Sequence, residues 1–180
     1  ISDPTNPVES SAVSIQSLVC GAPRQLAVDG NLAYTADEWG LSIYDFSNPN
    51  VLNTIGRIEL QQEGDQTVAL SVLGEYAYVA DAGTGLKIVN ISDPANPEFV
   101  HTFKVGTVVG SVFSSKDTLY IGHYGEGLTV AYNPEPGKAP SVQSHYQTMG
   151  SVEEVVVSGT ILVSSEGSGG LEILDVSNPG

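Results

Sequence analysis

Apolar and polar positions alternate with a period of two in short runs along the whole chain, and turn residues separate the runs. Gln25-Leu26-Ala27-Val28 meets Asp29-Gly30, and Asn31-Leu32-Ala33-Tyr34-Thr35-Ala36 returns from it. This is the pattern of two half-buried antiparallel strands joined by a tight hairpin. A third strand is expected over Leu41 to Phe46, after the loop Asp37-Glu38-Trp39-Gly40. Ser47-Asn48-Pro49 then turns the chain into an outer strand around Leu52 to Leu60.

The same order returns three times. The second unit has strands over Val68 to Val72, Glu75 to Ala80, Leu86 to Ile91 and Glu98 to Val105, with Leu73-Gly74 and Ser92-Asp93-Pro94 as turns. The third runs through Ser111 to Phe113, Thr118 to Ile121 and Leu128 to Tyr132, with His145 on an outer strand. It lacks glycine at its hairpin, Ser115-Lys116, and replaces Ser-Asp-Pro with Asn133-Pro134-Glu135-Pro136-Gly137, which predicts a locally different loop. The fourth has Val155 to Val157, Thr160 to Val163 and Leu171 to Val176. Gly40, Gly85, Gly127 and Gly170 each open a Gly-Leu-x-(Ile/Val) strand and fall 45, 42 and 43 residues apart. A period of about 40 to 50 residues with only strand patterns inside it is the mark of a β-propeller, one four-stranded blade per unit. The expected fold is therefore all-β, a single domain of four blades: 19–60, 61–105, 106–150, and 151–180 completed by 1–18. Leu26, Leu70, Val112 and Val155 fall at matching positions and are expected in the packed faces between neighbouring blades.

Ile1-Ser2-Asp3-Pro4-Thr5-Asn6-Pro7 repeats Ile91-Ser92-Asp93-Pro94-Ala95-Asn96-Pro97 almost residue for residue. The chain is thus expected to open at the end of a third strand and to supply an outer strand around Val8 to Gln16, with Val8, Val13 and Ile15 as its apolar side. That strand would complete the last blade, either of its own chain or of a neighbouring subunit, and so hide sheet edges that otherwise promote aggregation.

The phrases Ala77-Tyr78-Val79-Ala80-Asp81, Leu86-Lys87-Ile88-Val89-Asn90-Ile91-Ser92-Asp93-Pro94-Ala95-Asn96-Pro97 and Leu171-Glu172-Ile173-Leu174-Asp175-Val176-Ser177 resemble the LVIVD repeat, named for its Leu-Val-Ile-Val-Asp core. The likeness covers essentially the whole chain, strongest in the second unit and weakest in the third. It implies a propeller from a bacterial or archaeal surface or secreted protein, and it brings no established catalytic residues.

Charge narrows the partners. Six Lys and Arg against 21 Asp and Glu give a formal charge of -15, which disfavours nucleic acid and anionic membrane surfaces. Cations, basic protein surfaces and neutral polymers such as carbohydrate remain, as do further copies of the chain. No run approaches the length of a membrane span. The single cysteine, Cys20, excludes an internal disulfide and Cys-x-x-Cys chemistry. Few lysines, many Ser, Thr, Val, Gly and Asn, and a single Cys and Met lean toward an exported protein, and with what the resemblance implies the expected location is extracellular or at the cell surface.

Propellers usually work from the face where the loops between second and third strands gather. Here those loops carry Asp37, Glu38 and Trp39; Asp81; His123, Tyr124 and Glu126; and Glu166, with Arg24 in a between-blade loop on the same rim. Two readings stay open. Trp39 and Tyr124 could stack on a sugar while the carboxylates and imidazole hold a divalent cation such as calcium; alternatively Asp37 and Asp81 are turn residues that bond their own loop backbone. Arg24 could pair with Asp37 or Glu38, or hold a carboxylate ligand. No calcium loop, His-Glu-x-x-His, Gly-x-Ser-x-Gly elbow or phosphate-binding glycine loop occurs, and no cofactor is identified. His101 and His145, on outer strands, are weak metal candidates. Glu153 and Glu154 point to opposite faces of a strand and cannot act jointly. The leading expectation is a non-catalytic interaction or assembly propeller, self-assembling by strand addition in one form. Its rival is a cation-dependent hydrolase or lyase using Asp37, Asp81, His123 and Glu166.

Overall fold

The computed structural model describes Thr5, Glu9 and residues 22–60, 67–106 and 108–178. Four antiparallel sheets follow one another in chain order and form a four-bladed β-propeller. Blade 1 holds β1 (Gln25–Asp29), β2 (Leu32–Asp37), β3 (Gly40–Asp45) and β4 (Asn53–Glu59). Blade 2 holds β5 (Thr67–Leu73), β6 (Tyr76–Asp81), β7 (Gly85–Asn90) and β8 (Glu98–Phe103). Blade 3 holds β9 (Val109–Ser115), β10 (Thr118–His123), β11 (Gly127–Tyr132) and β12 (Ser141–Tyr146). Blade 4 shows β13 (Glu154–Ser158), β14 (Ile161–Ser165) and β15 (Leu171–Asp175), and between β14 and β15 a 3-10 turn at Gly167–Gly169. Its expected fourth strand, with Val8, Val13 and Ile15, lies outside the described residues, as does Cys20.

Turn chemistry fixes the hairpins as expected, with one substitution of means. Gly30, Gly74 and Gly159 take φ of 58°, 59° and 63° between the first and second strands, and in blade 3 Lys116 takes the same place at φ 51°. A lysine there carries a steric cost that glycine avoids. The lower turn of blade 3 departs less than its sequence suggests. Lys138 N–H donates to Glu135 O at 2.7 Å, the same bond that Val51 makes to Asn48 and Asn96 to Asp93. What changes is the cap. Asp45, Asn90 and Asp175 accept from the amides of Ser47, Ser92 and Ser177, whereas blade 3 has Tyr132 at that position. Next to it, buried Asn133 instead donates across the blade junction to the Tyr78 hydroxyl at 2.8 Å.

Blades pack face to face in sequence: β5 lies against β1, β9 against β5, and β13 against β9. Three core clusters fill these three junctions. Tyr34, Leu41 and Ile43 meet Leu70, Val79 and Val89 between blades 1 and 2; Tyr78, Leu86 and Ile88 meet Val112, Leu119 and Ile121 between blades 2 and 3; Tyr120, Leu128 and Val130 meet Val155 and Leu162 between blades 3 and 4. Leu70, Val112 and Val155 are buried as expected. Leu26 is not: it stands exposed, because β1 turns that face away from blade 2 and among the described residues no blade covers it.

Candidate functional site

The second strand of every blade ends at the same edge of the propeller, and its last or next residue is polar and buried: Asp37, Asp81, His123 and Glu166. A buried polar group must find partners, and each finds them close by. Asp37 Oδ1 accepts from the amides of Trp39 (2.8 Å) and Gly40 (3.0 Å), and its Oδ2 from Ser42 Oγ at 3.1 Å. Arg57 Nη1 approaches the same oxygen at 3.8 Å. Asp81 Oδ1 accepts from Gly83 (3.0 Å) and Thr84 (3.2 Å), and Oδ2 from Lys87 Nζ at 2.9 Å. Lys87 also donates to the carbonyl of Leu60 in the preceding blade. Glu166 holds Met149 N–H (3.1 Å) and Gly150 N–H (3.2 Å) through Oε2 and Ser164 Oγ (2.9 Å) through Oε1.

His123 breaks the pattern chemically but not positionally. Its Nε2 shares a hydrogen bond with Thr129 Oγ1 at 2.9 Å, and Thr129 Oγ1 in turn meets His145 Nδ1 at 3.1 Å. The two imidazoles sit 6.3 Å apart, centre to centre. Nδ1 of His123 is buried with no hydrogen-bond partner. Burial holds the His123 pKa below its ordinary value; the Glu126 charge opposes this and His145 reinforces it. Gly106, at φ 62°, closes over His123 and Glu126, and a Cβ there would meet His123 Nδ1 at 2.6 Å and Glu126 Oε2 at 2.9 Å.

The remaining rim residues are more open. Arg24 Nη2 lies 3.7 Å from Glu38 Oε1, both side chains partly exposed, so the guanidinium faces Glu38 while Arg57 faces Asp37. Trp39 and Tyr124 present exposed ring surface, and the Tyr124 ring lies over Gly110 of β9. The structure thus brings Arg24 to Glu38 and His123 to Glu126, and sets Asp37, Asp81 and Glu166 each within a separate blade. Among the described residues no group of three or more His, Cys, Asp or Glu is arranged to hold a metal ion. Sequence reading missed the partners: Ser42, Lys87 and Thr129, all at the x position of Gly-Leu-x-(Ile/Val), and Arg57 and His145 opposite them on the fourth strands. A polar x in all four units was the visible signal. A groove of about 430 Å³ also lies between blades 1 and 2, lined by Glu59, Leu60, Thr84, Lys87, Phe99, Thr102 and Lys104.

The LVIVD repeat signature matches residues 20–59, 64–105 and 149–180, well over half of the chain. The chain belongs to the LVIVD-repeat family. The stretch that the signature passes over is the third unit, where Tyr132 and Pro134 replace the Asp/Asn cap and its serine. No curated protein is detectably similar to this LVIVD propeller in sequence. In fold it resembles the computationally designed Ika4 protein (TM-score 0.66, 14% identity, 87% of this chain and 92% of that one). It also resembles BamB from Moraxella catarrhalis (TM-score 0.66, 13% identity, 89% of this chain and 46% of that one). A chain of the mitotic checkpoint complex aligns similarly (TM-score 0.66, 11% identity, 87% and 48%). The LVIVD propeller therefore spans about half the length of the last two, and these likenesses concern fold alone. No helix among its described residues is long and apolar enough to cross a membrane.

Proposed function

We propose that this LVIVD propeller is a non-catalytic interaction and assembly module acting outside the cell or at its surface. The observation that carries the reading is the engagement of Asp37, Asp81 and Glu166. Their carboxylates, the groups best suited to proton transfer or cation binding, are buried and accept two backbone N–H bonds each from neighbouring loops. Carboxylates held in this way fix loop shape. What the rim leaves available is ring surface on Trp39 and Tyr124 and the exposed Arg24–Glu38 pair, suited to a protein or carbohydrate surface. One of the structurally similar chains comes from a protein complex, the mitotic checkpoint complex, in keeping with interaction as the role.

One observation favours a cation-dependent hydrolase or lyase instead: the unpartnered Nδ1 of His123 beside Glu126. Thermal unfolding with and without calcium, magnesium or zinc separates the two. The interaction reading expects Asp37→Asn, Asp81→Asn and Glu166→Gln to lower the melting temperature equally in the presence or absence of cation. A cation-dependent rise in the parent's melting temperature that these variants abolish would refute it. Trp39 is the sole tryptophan, so its fluorescence reports directly on occupation of the rim by an added glycan or protein.

A further inference from the structure

Each internal junction joins two kinds of face. One blade contributes the first two apolar residues of its third strand and the residue opposite them on the second strand; the next blade contributes alternate residues of its first and second strands. The third-strand pairs are Leu41 and Ile43 (1% and 0% exposed), Leu86 and Ile88 (both 0%), and Leu128 and Val130 (2% and 5%). The fourth pair, Leu171 and Ile173, is 74% and 69% exposed. Val156 and Val163 pair beside Ile173 on the same face of blade 4, so this is a whole sheet face and not an isolated side chain.

The complementary kind of face is also open, at the other end of the stack. Leu70 of blade 2 is 4% exposed and Val112 of blade 3 is 4%, whereas Leu26 and Val28 of blade 1 are 62% and 58%. Among the described residues no core cluster joins blade 4 to blade 1. Among the described residues the chain thus carries one unfilled half-junction of each kind, built on the same repeat positions that match each other three times within it.

We propose that these two faces meet between copies: blade 4 of one chain seats on blade 1 of a second, and the reciprocal contact closes a ring of eight blades from two chains. This rests on the assembly reading above and replaces strand addition with face packing as its joint. A head-to-tail joint of unlike surfaces closes into a ring when its rotation allows. The alignment of these four blades with 46% and 48% of two longer chains, at the same TM-score as with a chain of their own length, fits half of a larger ring. With a charge of -15 on each copy, the attraction comes from apolar surface, and a sheet face of this kind is unusual on a protein that stays alone in solution.

The test is native mass by light scattering, for the parent chain and two pairs of substitutions on exposed side chains, Leu26→Glu with Val28→Glu and Leu171→Glu with Ile173→Glu. The parent is expected at twice the 18.8 kDa chain mass and each variant at the chain mass, with unchanged circular dichroism. Mixing the two variants should restore the doubled mass, because each retains the face that the other lacks. A parent of 18.8 kDa at every concentration, or a fibre, overturns the proposal. A doubled mass that survives both variants but is lost in Val13→Glu with Ile15→Glu overturns face packing while leaving assembly itself standing.

Discussion

Replacing Asp81 by asparagine tests whether the buried rim groups hold the blades together. Asp81 and Lys87 are both buried, 2.9 Å apart, and the lysine reaches across to Leu60 O in blade 1. Asparagine keeps an oxygen for the amides of Gly83 and Thr84 but removes the negative charge that faces the buried ammonium group at 2.9 Å. Removing one partner of a buried pair costs about 3–5 kcal/mol, because the remaining charge has lost water and received nothing equivalent. Against a total stability of roughly 5–15 kcal/mol this is a large fraction. For a chain of this size, about 2–4 °C of melting temperature accompany each kcal/mol, so the fall should be roughly 6–20 °C. Adding Lys87→Met removes the buried ammonium group as well, and the double variant should return to within about 1–2 kcal/mol of the parent. Urea unfolding followed by circular dichroism reads both values. If Asp81→Asn costs less than about 1 kcal/mol, or if Lys87→Met does not rescue it, the pair is not the electrostatic lock described here.

Lys116→Gly should raise stability by up to about 1 kcal/mol in urea titrations, since it relieves a left-handed lysine at a place where the other three blades use glycine. Gly56→Ala should lower it by about 1–3 kcal/mol, because a Cβ there would run into the carbonyl oxygen of Pro94 in the next blade. Asn133→Ala removes the donor to a buried Tyr78 hydroxyl whose pKa burial pushes up to about 12, and a loss of about 1–3 kcal/mol is expected. Burial lowers the pKa of His123 below 6.5, so the unfolded chain takes up its proton first as pH falls. The stability tied to neutral His123 is therefore present above pH 6.5 and lost as pH drops through the lowered folded value. The urea midpoint should decline over that window and decline less in His123→Gln; His101, lowered by burial too, contributes in the same direction.

Much of the architecture was legible because the repeat states it four times. Gly-Leu-x-(Ile/Val) marks every third strand within a residue, and Asp29-Gly30, Leu73-Gly74 and Ser158-Gly159 mark the hairpins. The rim acids were visible for the same reason. Their partners were not, because Arg57 and His145 reach the site from fourth strands whose pairing shifts by one residue at a bulge in blades 1 and 3, between Ile43/Tyr44 and Val130/Ala131. Such a slip changes which side chain faces inward and leaves no mark in the alternation. Leu26 shows a second limit. It reads like Leu70, yet one is exposed and the other buried, since burial of a blade face depends on the neighbour and not on the strand.

The chain of junctions has a consequence for how the protein comes apart. Blades 2 and 3 each have a packed neighbour on both sides, while blades 1 and 4 have one each among the described residues. In a stack where stability is a sum of repeat and nearest-neighbour terms, loss of structure begins at the ends and moves inward. Amide protons of β13–β15 and of β1 and β2 should exchange first, and those of β6, β7 and β10 last. Joining end to end removes this gradient, since a closed ring offers fraying no place to start.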